Sequence, residues 1–125
     1  MNRLERAAEL VEEMREVLAA AGLDDVTVTA NPVEIPGALP NGPVVAVQPP
    51  KLTFITYNTQ EAEWELFVIA GPPADRLTAW TSIDQVIEAL RVPMDIDKAD
   101  PANYEHPSMQ PHAAYVLTFT EQHDS

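Results

Sequence analysis

The residues that could carry chemistry in this sequence are few and lie far apart. The histidines are His106, His112 and His123. They lack the i, i+4 helical spacing of a zinc site, so we do not expect them to bind a metal. Three aspartates resemble the start of a calcium-binding loop: Asp95, Asp97 and Asp100. The glycine at the sharp turn and the closing glutamate of such a loop are missing, so we expect a solvated acidic segment instead.

Two glutamates, Glu63 and Glu65, share one face of a predicted strand, as a catalytic carboxylate pair would. Nothing in the sequence around them indicates a raised pKa, so we expect a surface ladder. The glycines are scattered, which excludes a Gly-rich phosphate loop. No Ser, His and Asp constellation can be recognised. The sequence therefore predicts no catalytic residue, no metal site and no cofactor, and we do not expect an enzyme.

The bulk composition indicates one soluble domain. The chain has 125 residues without a break in composition, which is close to the commonest domain size. It contains no cysteine, so the fold must rest on its core. No apolar run is long enough to span a membrane, and charge begins at Arg3, so we expect neither a spanning helix nor a signal peptide. We predict a cytosol-like compartment of synthesis and no membrane partner.

The charge balance is strongly acidic, with 7 Lys and Arg against 20 Asp and Glu and a formal net charge of −13. Lys51 and Lys98 are the only lysines. Since affinity for nucleic acid comes largely from cations that displace counterions from phosphates, the chain should be repelled by DNA and RNA. Solubility alone also accounts for such acidity.

The core of the fold is predicted in Glu61 to Leu90, where a strand runs through a Gly-Pro-Pro-Ala-Asp corner into a helix. Alternate residues from Ala62 to Ala70 place Trp64 on one face of the strand and Glu63 on the other. After Asp75, a suitable N-cap, the apolar spacing changes to threes and fours. Whether the helix is continuous or restarts at Ser82 is left open.

An earlier helix and a series of short strands precede this unit. A capping pattern at Asn2 predicts a helix to about Ala21, followed by Gly22 at a left-handed C-cap position. Short strands are predicted at 26–30, 44–47 and 52–58. Because the last two and the strand after Glu61 are closely connected, we expect them to form an antiparallel meander.

Two long Pro-rich segments are predicted to be irregular, Asn31 to Pro43 and Val92 to His112. Both contain apolar side chains without periodicity, which indicates loops ordered against a partner. A last strand follows at 113–120, and a polar tail begins near residue 121. The fold class predicted for the single domain 1–125 is α+β. We expect a mainly antiparallel sheet of four to five strands, with an N-terminal helix and a second helix packed on it.

This order of elements, together with five sequence stretches, resembles the tail terminator (tail-completion) proteins of long non-contractile-tailed phages, including the actinobacteriophage type. The stretches are Val44 to Pro50, Trp64 to Ala70 and Val86 to Leu90, joined by Pro101 to Tyr104 and Ala113 to Phe119. The likeness covers most of the chain.

The resemblance implies a structural virion protein without enzymatic activity. Copies of the family form a closed ring, typically a hexamer, that caps the head-proximal end of the tail tube and stops its polymerisation. The implied partners are other copies of the chain, the major tail tube protein and the neck or head-completion connector, with DNA passing through the lumen unbound during genome ejection. The implied location is the virion tail after assembly in the host cytoplasm.

No motif carries the family's contact residues over to this chain, so the following residues are assigned as hypotheses from the apolar side chains of the two Pro-rich segments and from the acids of the strand after Glu61. Subunit and ring contacts are expected at Val33, Ile35 and Leu39. The face towards the tube or neck is expected at Met94, Ile96, Tyr104 and Met109. Acids facing the lumen are expected at Glu61, Glu63 and Glu65.

Other functions remain open. The chain could be another head-tail connector or a tail-tube subunit of the same virion, which would polymerise openly. It could also be an acidic inhibitor that mimics DNA, although its acids are spread over helices, strands and loops. An enzyme is the last alternative.

Overall fold

The computed structural model describes residues 3–70, 76–106 and 109–124, and side chains within 4–40, 42–70, 80–104 and 113–122. The helices are α1 (Arg3–Ala20), α2 (Ile35–Ala38) and α3 (Arg76–Arg91). The strands are β1 (Thr27–Thr29), β2 (Val44–Val47), β3 (Lys51–Thr56), β4 (Thr59–Ile69), β5 (Lys98–His106) and β6 (Met109–Asp124). The predicted Gly-Pro-Pro-Ala-Asp corner and its N-cap, Asp75, lie outside the described residues.

One six-stranded sheet organises the chain in the order β1-β2-β4-β6-β5, with β3 paired to β4 beside β2. All pairings are antiparallel except β1 with β2. The longest contact joins β4 to β6, from Thr59 opposite Asp124 to Ile69 opposite Ala114. The α+β class is confirmed, and the sheet has six strands where four to five were expected. Helix α3 is continuous.

The antiparallel β3–β4 hairpin of the expected meander is confirmed. The other half of the meander is wrong, because β2 and β3 do not pair with each other. Both lie along the same edge of β4. Val47 is opposite Leu66 and Lys51 is opposite Glu63. The chain therefore advances by four residues from Val47 to Lys51, whereas the opposing stretch of β4 advances by three. The extra residue falls in the Gln48–Pro50 segment, where the prolines cannot donate to the ladder. β2 and β3 are therefore one long strand interrupted by a proline kink.

The main core lies between one face of the sheet and helices α1 and α3. Strand β4 contributes alternate side chains that are fully buried, among them Trp64, Leu66 and Val68. This confirms the predicted period of two. From α1 the core receives Leu10, Val11, Met14 and Leu18. Helix α1 ends as predicted, with Gly22 at φ +79° and with Leu23 N donating to Leu18 O at 2.9 Å.

The segment from Asn31 to Pro43 is not an irregular loop, and this prediction is corrected. It forms three successive helical turns, 32–34, 35–38 and 39–41, and each has a proline in its first two positions. Proline is favoured there because its missing N–H has no partner in the first turn of a helix. Asn31 caps the first turn by accepting from Val33 N at 3.1 Å.

These turns cover a second, smaller core on the other face of the sheet. Ile35 is 0% exposed and Leu39 is 4% exposed, and both pack in a cluster with Val44, Ile69 and Tyr104. The inference that the apolar side chains of this segment have no local place to be buried is therefore wrong for Ile35 and Leu39.

The segment from Val92 to His112 is also more regular than predicted. It holds a short turn, all of β5 and the start of β6. Pro101 is compatible with a strand because β5 lies at the sheet edge, where one row of N–H groups has no ladder partner. The correction follows from position in the sheet, which the local sequence does not reveal.

An ion pair ties α1 to the end of β6. The Arg6 guanidinium donates to both Glu121 oxygens, from Nη2 to Oε1 at 2.9 Å and from Nε to Oε2 at 3.1 Å. Its Nη1 also bonds Glu9 and Glu13. The hydrogen bond to Glu121 raises the pKa of Arg6 above its ordinary value. The pair joins residues 115 positions apart in sequence.

Replacing Gly42 by alanine should lower the free energy of unfolding by about 1–3 kcal/mol, because its φ of +150° strains any other residue. An added Cβ would also overlap the backbone carbonyl of Asp25, which cannot rotate away. Chemical denaturation measures the change. Gly37→Ala is the control: its Cβ would meet nothing within 4 Å, so that variant should match the wild type or exceed its stability by up to about 1 kcal/mol. Equal stability of both variants would contradict the strain argument.

Replacing Arg6 by methionine should cost about 1–3 kcal/mol of unfolding free energy, because a bidentate, partly buried charge pair is lost. Arg91→Met is the matched control. Its bond to Glu88 joins two side chains that are each 60% exposed, so its loss should change stability by less than about 0.5 kcal/mol. Thermal denaturation of the two variants in parallel measures both changes. Similar losses of stability in Arg6→Met and Arg91→Met would refute the stabilising role of the Arg6–Glu121 pair.

Candidate interaction surfaces

The face of β4 opposite the helices carries the three predicted lumen acids. Glu61, Glu63 and Glu65 are all half-buried on this face, so the structure brings them together as a ladder. Alternate residues of a strand are about 7 Å apart, close enough for like charges to repel each other. Whether this ladder faces a lumen stays a prediction.

Both lysines of the chain lie on the same face as this ladder. Lys51 Nζ is 3.2 Å from Glu65 Oε1 and 3.9 Å from Glu63 Oε2. The hydrogen bond to Glu65 raises the pKa of Lys51 above its ordinary value. Lys98 lies in the same cross-strand row as Glu65, since both are register partners of Thr118. The face is thus less acidic than its glutamates alone suggest.

The tip of the β3–β4 hairpin exposes large apolar side chains. Phe54 is 70% exposed, Ile55 49% and Tyr57 98%. The hairpin reverses at Tyr57 and Asn58, since Thr56 is opposite Thr59. We call this surface, residues 54–57, the hairpin tip. Exposed aromatic side chains grouped in this way mark contact surfaces more often than scattered single residues do.

Charge is segregated around this feature. Between Glu34 and Glu61 the sequence contains no acidic residue, and Lys51 is its only charge. In a chain of net charge −13, this stretch adds no negative charge of its own, and the nearest acids in the paired strands are Glu61, opposite Thr53, and Asp124, opposite Thr59.

An apolar pocket lies where the start of α1 passes over the proline kink. Its volume is about 210 Å³. Its lining residues are Leu4, Ala7, Ala30, Val47, Gln48, Pro49, Pro50 and Trp64. Trp64 is fully buried, yet its indole nitrogen has no hydrogen-bond partner among the described residues. We call this cavity the Trp64 pocket.

The residues predicted for subunit contacts are divided by the structure. Ile35 and Leu39 are enclosed in the second core, whereas Val33 is 79% exposed. Only Val33 of the three offers its side chain to a partner, and its contact role stays a prediction.

The residues predicted for the tube or neck face are mostly internal. Met94 is 7% exposed and Tyr104 is 8% exposed, with the Tyr104 ring packed edge-on against Phe67 at 5.3 Å. Burial raises the pKa of the Tyr104 hydroxyl. Ile96 packs at the margin of the main core, and the side chain of Met109 lies outside the described part. The structure does not bring these residues together on an open surface.

The hairpin tip and the Trp64 pocket are absent from the sequence-based assignments. Two signals could have indicated the tip: the acid-free stretch, and the apolar residues on both faces of β3 beside a turn. No local signal indicates the pocket, because its walls come from α1, the residue after β1, the end of β2 with the proline kink, and β4.

The described residues contain no group of three or more His, Asp or Glu side chains that could hold a metal ion. The side chains of His106, His112 and His123 are not among those described. Within the described part of the chain, no helix is long and apolar enough to cross a membrane. Asp95, Asp97 and Asp100 are exposed in the turn after α3 and at the start of β5.

No protein-family model matches the chain, and no curated protein sequence matches it.

Proposed function

We propose that this protein is a structural subunit that assembles into a closed ring on the head-proximal end of a phage tail tube. In this role it ends tube polymerisation and presents the surface to which the neck connector binds. The proposal starts from the resemblance to tail terminator proteins, in which copies of a small α+β domain surround the DNA path.

The observation that supports it best is the exposed, acid-free hairpin tip on a subunit of net charge −13. Exposing Phe54 and Tyr57 to water is unfavourable by about 1.5–3 kcal/mol for each fully exposed ring, so such a surface is best explained by a protein partner. A homo-oligomer with cyclic symmetry repeats one such contact around its axis.

The acidic composition supports the second part of the role. A lumen that conducts DNA must avoid binding phosphates, and affinity for DNA falls as cations are removed from a surface. The glutamate ladder on β4 is one candidate lining, and the exposed glutamates of α1, among them Glu12, Glu13 and Glu16, are another. Both leave DNA free to slide.

Purified protein added to polymerising tail-tube subunits should stop tube growth and appear as an extra ring at one end, by negative-stain electron microscopy. A closed ring has no free contact for further tube subunits, so the tubes should also be shorter as more protein is added. The hairpin tip would equally suit a tail-tube subunit, which polymerises openly by itself. Incorporation along the tube, or an unchanged length distribution, would contradict the capping role.

Changing Glu61, Glu63 and Glu65 together to lysine should slow DNA release from assembled virions if this face lines the lumen. Each added cation close to the duplex can displace about one counterion, so the delay should shrink steeply as salt rises. Release is followed by a DNA-binding dye after receptor triggering.

The control carries the same charge change on exposed helical acids, Glu16, Asp84 and Glu88. If DNA release is slowed only in the helical control, the helical face, and not the glutamate ladder, lines the lumen. If the rate of DNA release is unchanged in both variants, the acidic residues serve solubility and have no role in DNA passage.

A further inference from the structure

We propose that the Trp64 pocket of one copy receives the Tyr57 side chain from the hairpin tip of the next copy. This contact deepens the ring proposal and rests on it, because it identifies the surfaces that repeat from copy to copy. It is head-to-tail, since the two surfaces are different, and a contact of this kind generates a ring when its rotation closes.

The size of the pocket matches one aromatic ring. A cavity of about 150 Å³ lined by apolar side chains is known to hold a benzene molecule. The Trp64 pocket measures about 210 Å³ and is lined mostly by apolar surface. It therefore has space for one six-membered ring with a small polar substituent, and not for an additional helix or strand.

The chemistry of the pocket selects tyrosine among the exposed aromatic residues. The Trp64 indole N–H is buried without a partner among the described residues, which is costly for a donor. Because Trp64 is 0% exposed, a phenolic oxygen entering the pocket would accept this hydrogen bond only after the lining shifts to uncover the indole nitrogen. Phe54, which is also exposed, has no acceptor, whereas Tyr57 has one and is 98% exposed.

Charge favours a second copy as the occupant. The hairpin from Lys51 to Gln60 has a single charge, which is positive, and the pocket lining has none. Residues 51–60 bring no carboxylate to the pocket, although β4 continues to Glu61 opposite Thr53, and β6 places Asp124 opposite Thr59. Two chains of charge −13 therefore meet here at a lower electrostatic cost than they would along surfaces that carry acids on both sides.

The pocket cannot be filled by Tyr57 of its own chain. The pocket lies at Pro49 and Pro50, and β3 leads away from them towards Tyr57 at the far end of the hairpin. The six residues of β3 separate Pro50 from Tyr57 by about 20 Å. The ring and the pocket can meet only between copies.

The test measures self-association of the full chain by sedimentation velocity for the wild type and four variants. Tyr57→Ala and Leu4→Arg should each raise the dissociation constant more than about thirtyfold, because an aromatic anchor or the pocket mouth is lost. Tyr57→Phe should raise it about fivefold through loss of one hydrogen bond. Val92→Ala, at a residue that is 76% exposed and belongs to neither surface, should leave it unchanged.

Mixing Tyr57→Ala with Leu4→Arg gives the sharpest result. The first variant retains its pocket and the second retains its hairpin, so one intact contact remains. The mixture should form heterodimers of twice the 13.7 kDa monomer mass and no rings. A mixture that stays monomeric, or one that closes into rings, would overturn the contact.

The hydrogen bond is tested by a double-mutant cycle with Trp64→Phe, with folding checked by circular dichroism. Tyr57→Phe and Trp64→Phe should raise the dissociation constant by similar factors, and the double variant should raise it no more than either single variant does. If the two effects on the binding free energy add in the double variant, the hydrogen bond is refuted. If Trp64→Phe fails to fold, the mixing experiment alone decides whether the contact exists.

The outcomes separate this contact from the proposed function. If Tyr57→Ala assembles and caps tubes like the wild type, the contact is wrong and the capping role stands. If the variants behave as expected and the wild type never caps tubes, the contact stands and the role is wrong. A wild type that is monomeric both in solution and on tubes would overturn both.

Discussion

The structure depends on the pairing of β4 with a partner on each side and on the strict alternation of its side chains. β2 and β3 pair with one edge of β4 and β6 pairs with the other, so the backbone of β4 is paired on both sides along its length. Its even-numbered residues from Gln60 to Val68 are all buried. A register slip of one residue would move Trp64 to the open face and Glu63 or Glu65 into the core, which is prohibitively unfavourable. This constraint sets the place of every other element.

The odd-numbered residues of β4 divide the second face of the sheet in two. At one end Phe67 and Ile69 are covered by the helical turns that follow Asn31. At the other end Glu61, Glu63 and Glu65 are left open, with Lys51 bridging two of them. The change from apolar to acidic side chains along one strand thus marks where the cover ends.

The parts of the fold that the sequence predicts are those decided by local chemistry. The alternation in β4, the extent of α1 and the left-handed cap at Gly22 each depend on neighbouring residues only. The Pro-rich segments were misjudged because proline has opposite effects in different places. Pro32 begins a helical turn and Pro101 sits in an edge strand, and only the tertiary structure distinguishes these uses from an irregular loop. The same holds for the site: the glutamate ladder follows from a period of two, whereas the Trp64 pocket requires four elements to be assembled.

The proline kink at Pro49 and Pro50 links the two surfaces of the proposed contact. Because neither residue can donate to the ladder, β2 ends here beneath the start of α1, which leaves the space above Trp64 unfilled. The extra residue at the kink lets the chain resume pairing as β3, which runs past the end of the helical cover. The kink thus lies between the pocket that it lines and the strand that leads to the exposed aromatic tip, so the two halves of the proposed contact are held apart within one copy.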